Sequence, residues 1–181
     1  MITNQRILCV SSTCWEEPGE LQVIAEFLSG ANNIIWISPF GGISSNLLPR
    51  IDRLTESLTI YNPGINFLPL SFLGGFNRSR LLLHAKLYLL EKDFDPDLII
   101  IDSPELLKFT EAYKKTGAKA LYYAPACKSS TIPRAEKQKA AAMTDFNYKA
   151  QSIPGEINED EYMEMIITQV REISEIICKC S

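Results

Sequence analysis

The first cluster of chemistry-bearing side chains follows a short apolar run. "RILCVSS" (6–12) leads into Ser11, Ser12, Thr13, Cys14, Trp15, Glu16 and Glu17, then Pro18 and Gly19. A plain turn needs far fewer residues than this. Hydroxyls, adjacent carboxylates and an indole suit a polyhydroxylated ligand, because sugars are held by directional hydrogen bonds and by aromatic faces under their C–H groups. Further stretches sit in the same place, just after an apolar run: Pro39, Phe40, Gly41 and Gly42, then Asp102 and Ser103, then Tyr123, Ala124, Cys127, Lys128, Ser129 and Ser130. The candidate ligand-binding set is Ser12, Thr13, Trp15, Glu16, Gly41, Gly42, Asp102 and Ser103, with no catalytic base singled out. The same inventory is compatible with ordinary loop chemistry, in which Trp15 only covers the end of a sheet.

Other familiar centres are missing from the sequence. No GxGxxG follows the first apolar run, so the dinucleotide fingerprint is absent, and there is neither a GxxxxGK[ST] phosphate loop nor a GxSxG elbow. Cys14 sits where a phosphate-loop nucleophile would, but the arginine such a loop requires is not there. Arg78 and Arg80 open an apolar helix, where backbone N–H groups attract anions; solvated arginines are the simpler reading. His84 is the only histidine and lies within "LLLHAKLYLL", a helix face rather than a catalytic base. The cysteines (Cys9, Cys14, Cys127, Cys178, Cys180) form no CxxC pair, and the terminal CxC lacks the further ligands a zinc site needs. Reduced thiols and no metal are expected.

These residues need a frame, and hydrophobic period supplies it. Short apolar runs at 6–12, 32–40, 96–104 and 118–126 read as buried strands. Helical spacing appears at 19–30, 76–94 (with Asn77 as N-cap), 105–117 (closed by Gly117), 133–143 and 158–179. Residues 41–54 read as loop, 58–63 and 65–70 as extended pieces punctuated by proline that belong at a sheet edge or in a long loop, and 146–155 as extended or loop. In the last helix Asn158 is the cap, and Tyr162, Met165, Ile166, Val170, Ile173, Ile176 and Ile177 form one stripe. Strands alternating with helices imply βαβ units and an α/β three-layer sandwich around a mostly parallel, Rossmann-like sheet. In such a sheet, ligands gather at the strands' carboxyl ends.

The totals fit this frame. A chain of 181 residues, 46% hydrophobic and 22% charged, is expected to form a single domain over 1–181 with a full core. A net charge of −4 argues against a nucleic-acid surface, which needs a basic face. No run approaches the length of a membrane span, and the opening residues carry no signal-peptide pattern, so a cytoplasmic protein is expected. Charge is unevenly placed. From 108 to 149 there are nine Lys or Arg against three acids, and from 156 to 175 seven acids against Arg171.

With those elements in order, the chain resembles the N-terminal half of glycosyltransferases of the two-Rossmann-domain (GT-B) architecture, particularly the retaining family 4 type. "RILCVSSTCWEEP" (6–18) looks like the opening strand and its Ser/Thr-x-x-Trp-acid-x-Pro turn. "IIWISPFGG" (34–42) looks like the second strand, and 66–107 like the Leu-Pro segment, the N-R-x-L-L helix and the F-x-P-D strand. "AKALYYAPACKSSTIP" (118–133) departs from the pattern: Ala124, Pro125 and Lys128 stand where the family has a Tyr-Asp and an acidic pair. The likeness covers 6–133, leaving 134–181 as a helix, an extended segment and an amphipathic helix. It implies that the first loop faces a cleft, that Trp15 is a stacking surface, and that Ser12, Thr13 and Glu16 hydrogen-bond a sugar or lipid-linked acceptor, in the cytoplasm or at the inner membrane face. It also implies that the nucleotide-sugar donor binds a second Rossmann domain, missing here or on a partner subunit, so that this chain binds no cofactor by itself and is not active alone. Glu164 and Glu172 match a Glu-x7-Glu donor-side spacing but lack its Gly-Phe-Gly context, and are read as ordinary helix acids. The competing reading is a flavodoxin-like module whose first and fourth strand loops hold a phosphate, nucleotide or other small ligand without sugar chemistry.

Overall fold

The computed structural model describes residues 2–13, 15, 19–38, 49–63, 74–114, 116–124, 134–150 and 158–178. Its centre is a seven-stranded sheet built from β1 (Arg6–Val10), β2 (Asn33–Ile37), β3 (Arg50–Arg53), β4 (Leu58–Asn62), β5 (Leu98–Ile101), β6 (Lys119–Ala124) and β7 (Phe146–Lys149). The spatial order is β3-β4-β2-β1-β5-β6-β7, and only the β3–β4 pair is antiparallel. The helices are α1 (Glu20–Ser29), α2 (Gly74–Glu91), α3 (Leu107–Lys114), α4 (Arg134–Met143) and α5 (Glu159–Cys178). The chain lays strands outward from β1 in one direction through β2, β4 and β3, then returns to β1's other side for β5, β6 and β7. The topological switch point of this sheet therefore lies between β1 and β5.

The central strands are apolar on both faces because both are covered. Ile7 and Cys9 of β1 face the cluster shared with α1 and α5, through Ile24, Leu28, Ile166, Val170 and Ile173. Leu8 and Val10 face the opposite cluster, with Leu81, Ala85 and Leu89 of α2 and Phe109 of α3. Each buried Leu, Ile, Val or Phe among them contributes roughly 1.5–3 kcal/mol of burial relative to exposure. The strands begin on side-chain acceptors: Asp97 Oδ2 accepts from the Arg6 amide at 2.8 Å, and Asp145 Oδ2 from the Ala120 amide at 2.8 Å. Asn32 ties α1 to the chain's start, its Nδ2 donating to the carbonyls of Leu28 and Ile2.

Several expectations are corrected. The segment 58–62 is no edge strand: β4 pairs with β2 on one side and β3 on the other, and Pro63 falls after its last ladder residue. The edge is β3, whose sequence RIDR has no apolar run to betray it. Within 146–155, the first four residues form the parallel edge strand β7, with Phe146 and Tyr148 buried and Asn147 and Lys149 exposed. Asn77 is not a cap, since α2 begins a turn earlier at Gly74. That helix also ends before Phe94: Asp93 takes φ 50°, its amide bonds to the Leu90 carbonyl, and the Phe94 amide reaches back to the Leu89 carbonyl at 2.9 Å. Asp tolerates this left-handed closing conformation, and Phe94 is returned to the core. The helix expected over 105–117 opens as a 3-10 turn at Pro104–Leu106 before α3, and Gly117 follows at φ 90°. Asn158 does cap α5, accepting from the Glu161 amide at 2.9 Å while Glu161 Oε2 accepts from the Asn158 amide.

Candidate functional site

The first loop leaves β1 at the switch point and is held there by Asp102, the residue directly after β5. Ser11 Oγ donates to Asp102 Oδ2 at 2.7 Å, and the Ser12 amide donates to Asp102 Oδ1 at 2.7 Å. The Thr13 amide donates to Ser11 Oγ at 3.0 Å, and the hydroxyls of Ser11 and Thr13 are 2.8 Å apart. Hydrogen counting orients this chain. Ser11 gives its one hydrogen to the carboxylate, so Thr13 is the donor to Ser11, and the Thr13 hydroxyl turns only acceptor lone pairs outward. From the β2 side, Ser38 Oγ donates to the Thr13 carbonyl at 3.2 Å. Ser11, Ser38 and Asp102 are all buried, whereas Ser12 and Thr13 are half-exposed.

Trp15 stands beside this loop. Its ring meets the buried Trp36 edge to face, with centroids 5.0 Å apart and planes at 81°. Trp15 is half-buried, packed against the cluster of α1 and α5. It covers the sheet end and still leaves part of its surface to solvent. Ser103 turns inward: its hydroxyl accepts from the Glu105 amide and opens the 3-10 turn. Glu16, Gly41 and Gly42 lie outside the described residues, as do Pro39, Phe40, Cys127, Lys128, Ser129 and Ser130. Thus Ser12, Thr13 and Asp102 form one hydrogen-bonded unit, Trp15 flanks it, and Ser103 serves its own turn.

Sequence reading named Ser11 in the first loop without placing it in the candidate set, and did not single out Ser38, although each is the polar residue directly after a strand. Cys9, one residue before the end of β1, is fully buried; burial pushes its thiol far above the usual range, and the Asp102 charge pushes further in the same direction. The same carboxylate adds to the burial that raises the Tyr122 hydroxyl.

A second polar cluster ties α1 and α5 to the sheet beside the site. The Tyr123 hydroxyl donates to Glu20 Oε2 at 2.8 Å, and the Gln169 amide lies 3.0 Å from the same hydroxyl. Tyr148 stacks on Tyr123 with centroids 5.8 Å apart and donates to Glu172 Oε2 at 2.7 Å. Burial, then the adjacent Glu20 charge, drives the Tyr123 hydroxyl far above its ordinary value, and burial with the Glu172 bond does so for Tyr148. Tyr113 is pushed up to about 12, by burial and by Asp95.

A raised folded value for a phenol favours the neutral form in the fold. The stabilisation is complete below the unfolded value of 10.0 and is lost as pH climbs through the folded ones. The melting temperature is expected to fall steeply above pH 10, with tyrosinate absorbance appearing together with unfolding. Smooth ionisation of every tyrosine in a chain that stayed folded would contradict the buried network.

Comparison with known proteins adds a fold and no chemistry. No family profile matches the chain, and no curated protein matches it. A sucrose-phosphate synthase structure from Thermosynechococcus elongatus matches with a TM-score of 0.55 at 10% identity, covering 93% of this chain and 99% of that one. The fold is Rossmann-like. Two α,α-trehalose-phosphate synthases, from Burkholderia xenovorans and Burkholderia multivorans, give TM-scores of 0.49 and 0.48 at 13% and 15% identity. Each is matched over 94% of this chain, which spans 43% of theirs.

Proposed function

We propose that this chain is a glycosyltransferase-like domain that binds the acceptor, a sugar or a lipid-linked sugar, in the cleft at the first loop. The nucleotide-sugar donor belongs to a second Rossmann-like domain or subunit, without which the chain does not transfer sugar. The observation that carries this reading is the direction of the loop's hydrogen bonds. Both turn amides, of Ser12 and Thr13, point inward to Asp102 and Ser11. Phosphate sites of the Rossmann type need such amides directed at the ligand. Here a buried carboxylate occupies their place, and Glu20 puts a second at the start of α1. A neutral polyol, which donates to the outward-facing Thr13 oxygen and lays its C–H face on Trp15, fits this arrangement better than a phosphate does.

The test uses fluorescence of the chain's two tryptophans, Trp15 and Trp36, during titration with a neutral disaccharide, a detergent-dispersed polyprenyl-linked sugar, a nucleotide and a flavin. Saturable change with one of the sugars is expected. Trp15→Ala is expected to weaken that binding at least tenfold, with the lost ring pair costing roughly 0.5–1.5 kcal/mol of stability on top of the apolar area that Trp15 buries. Unchanged binding in Trp15→Ala would remove the sugar cleft. Response to the nucleotide or flavin alone would make the chain a small-ligand module instead.

A further inference from the structure

The helix α2 is apolar on two opposite sides. Leu81, Ala85, Tyr88 and Leu89 are buried against the sheet. Leu83, Leu87 and Leu90 are 56%, 56% and 79% exposed. At about 100° per residue these three fall within an arc of about 60°, directly opposite the buried side. A helix lying on a sheet ordinarily turns a polar face outward, and one that is apolar all round is covered all round. The outer sides of α1 and α5 differ: their exposed apolar side chains, Phe27, Met163 and Ile167, stop at 37%, 39% and 37%.

The spacing of the stripe and the charges beside it say what covers it. Leu83, Leu87 and Leu90 recur at four and then three residues, the d-a-d spacing of a coiled-coil seam. Lys86 then holds the g position on one flank and Glu91 the e position on the other, and both are exposed. In a parallel pair of such helices, each g residue meets the e residue five positions further along the other helix. Lys86 of each copy therefore meets Glu91 of the other, and the surface is complementary to itself. Glu91 also touches Lys92 at 3.1 Å, an exposed pair of the kind that contributes little and is readily shared. The opposite orientation sets each flank against itself, Lys86 against Lys86, a like-charge contact.

We propose that α2 is a self-docking helix: two copies of this chain pair in parallel through Leu83, Leu87 and Leu90, with a Lys86–Glu91 contact on each side of the seam. The described seam is two turns long, which places the dimer among small, reversible interfaces.

Sedimentation equilibrium of the full chain from micromolar to millimolar concentration, at low salt so that exposed charges are little screened, tests this. The folding of each variant is checked by melting temperature. A reversible monomer–dimer equilibrium is expected. Leu87→Gln, at an exposed position, is expected to weaken it at least tenfold while the monomer melts as before. Lys86→Glu and Glu91→Lys are each expected to weaken self-association at least fivefold, because each sets like charges together at both contacts. Mixing those two variants is expected to restore pairing as a heterodimer, since every contact then joins opposite charges. A chain that stays monomeric throughout overturns the proposal. So does a dimer indifferent to Leu87→Gln, one unchanged by Lys86→Glu, or a failure of the mixed variants to pair.

Discussion

Asp102→Ala is expected to cost about 3 kcal/mol of stability and to release the first loop. The carboxylate accepts from the Ser12 amide and the Ser11 hydroxyl, each at 2.7 Å, and Ser11 is fully buried. Bonds to a charged acceptor contribute roughly 1.5–3 kcal/mol each, and removing the acceptor also leaves a buried donor unsatisfied. For a chain of this size that corresponds to a melting temperature lower by roughly 6–12 °C. Asp102→Asn separates the two consequences. Its oxygen still accepts from the Ser12 amide, while its NH₂ donates to Ser11 Oγ. The hydroxyl chain must then reverse, so that Ser11 donates to Thr13 and the Thr13 hydrogen turns outward. The asparagine variant is expected to lose only about 1 kcal/mol and yet, in the proposed sugar cleft, to bind sugar several-fold less well, because the loop offers a donor where it had offered an acceptor. A melting temperature of Asp102→Ala within 2 °C of wild type would refute the role given to the carboxylate.

That role marks the limit of what the sequence makes legible. The apolar runs at 6–12 and 96–104 announce β1 and β5, and their ends deliver Ser11, Ser12 and Asp102 to one place once the parallel order is assumed. Pattern also gave α5, because an isoleucine stripe at helical spacing has one way to be buried. What pattern does not carry is direction. Asp102 and Ser103 were read as facing a ligand, but a buried turn has its own unsatisfied donors, and a short polar side chain next to them satisfies those first. Strand β3 was missed because an edge strand with RIDR has no apolar face to alternate. The Glu20–Tyr123–Gln169 contact joins residues far apart in the chain, and no local signal marks it.

The largest effect on stability is expected from Ile173→Asp. Ile173 is fully buried on α5 and packs in the cluster that holds Ile7, Ile24, Trp36 and Tyr123. The substitution removes an apolar side chain and places an unpaired carboxylate in the same space, a combination that costs more than about 4 kcal/mol. Met163 and Ile167 lie on the outer side of the same helix, at 39% and 37% exposure, and aspartate at either is expected to change stability by less than about 1 kcal/mol. The contrast tests whether α5 belongs to this core or serves another chain. If α5 were an interface helix resting loosely on the sheet, Ile173→Asp would leave a folded domain and alter only its association. With α5 integral, its loss opens Tyr123 and Glu20 to water, and Glu20 is the first residue of α1, directly after the loop that Asp102 holds. The same variant is therefore expected to abolish the proposed sugar binding in any fraction that remains folded.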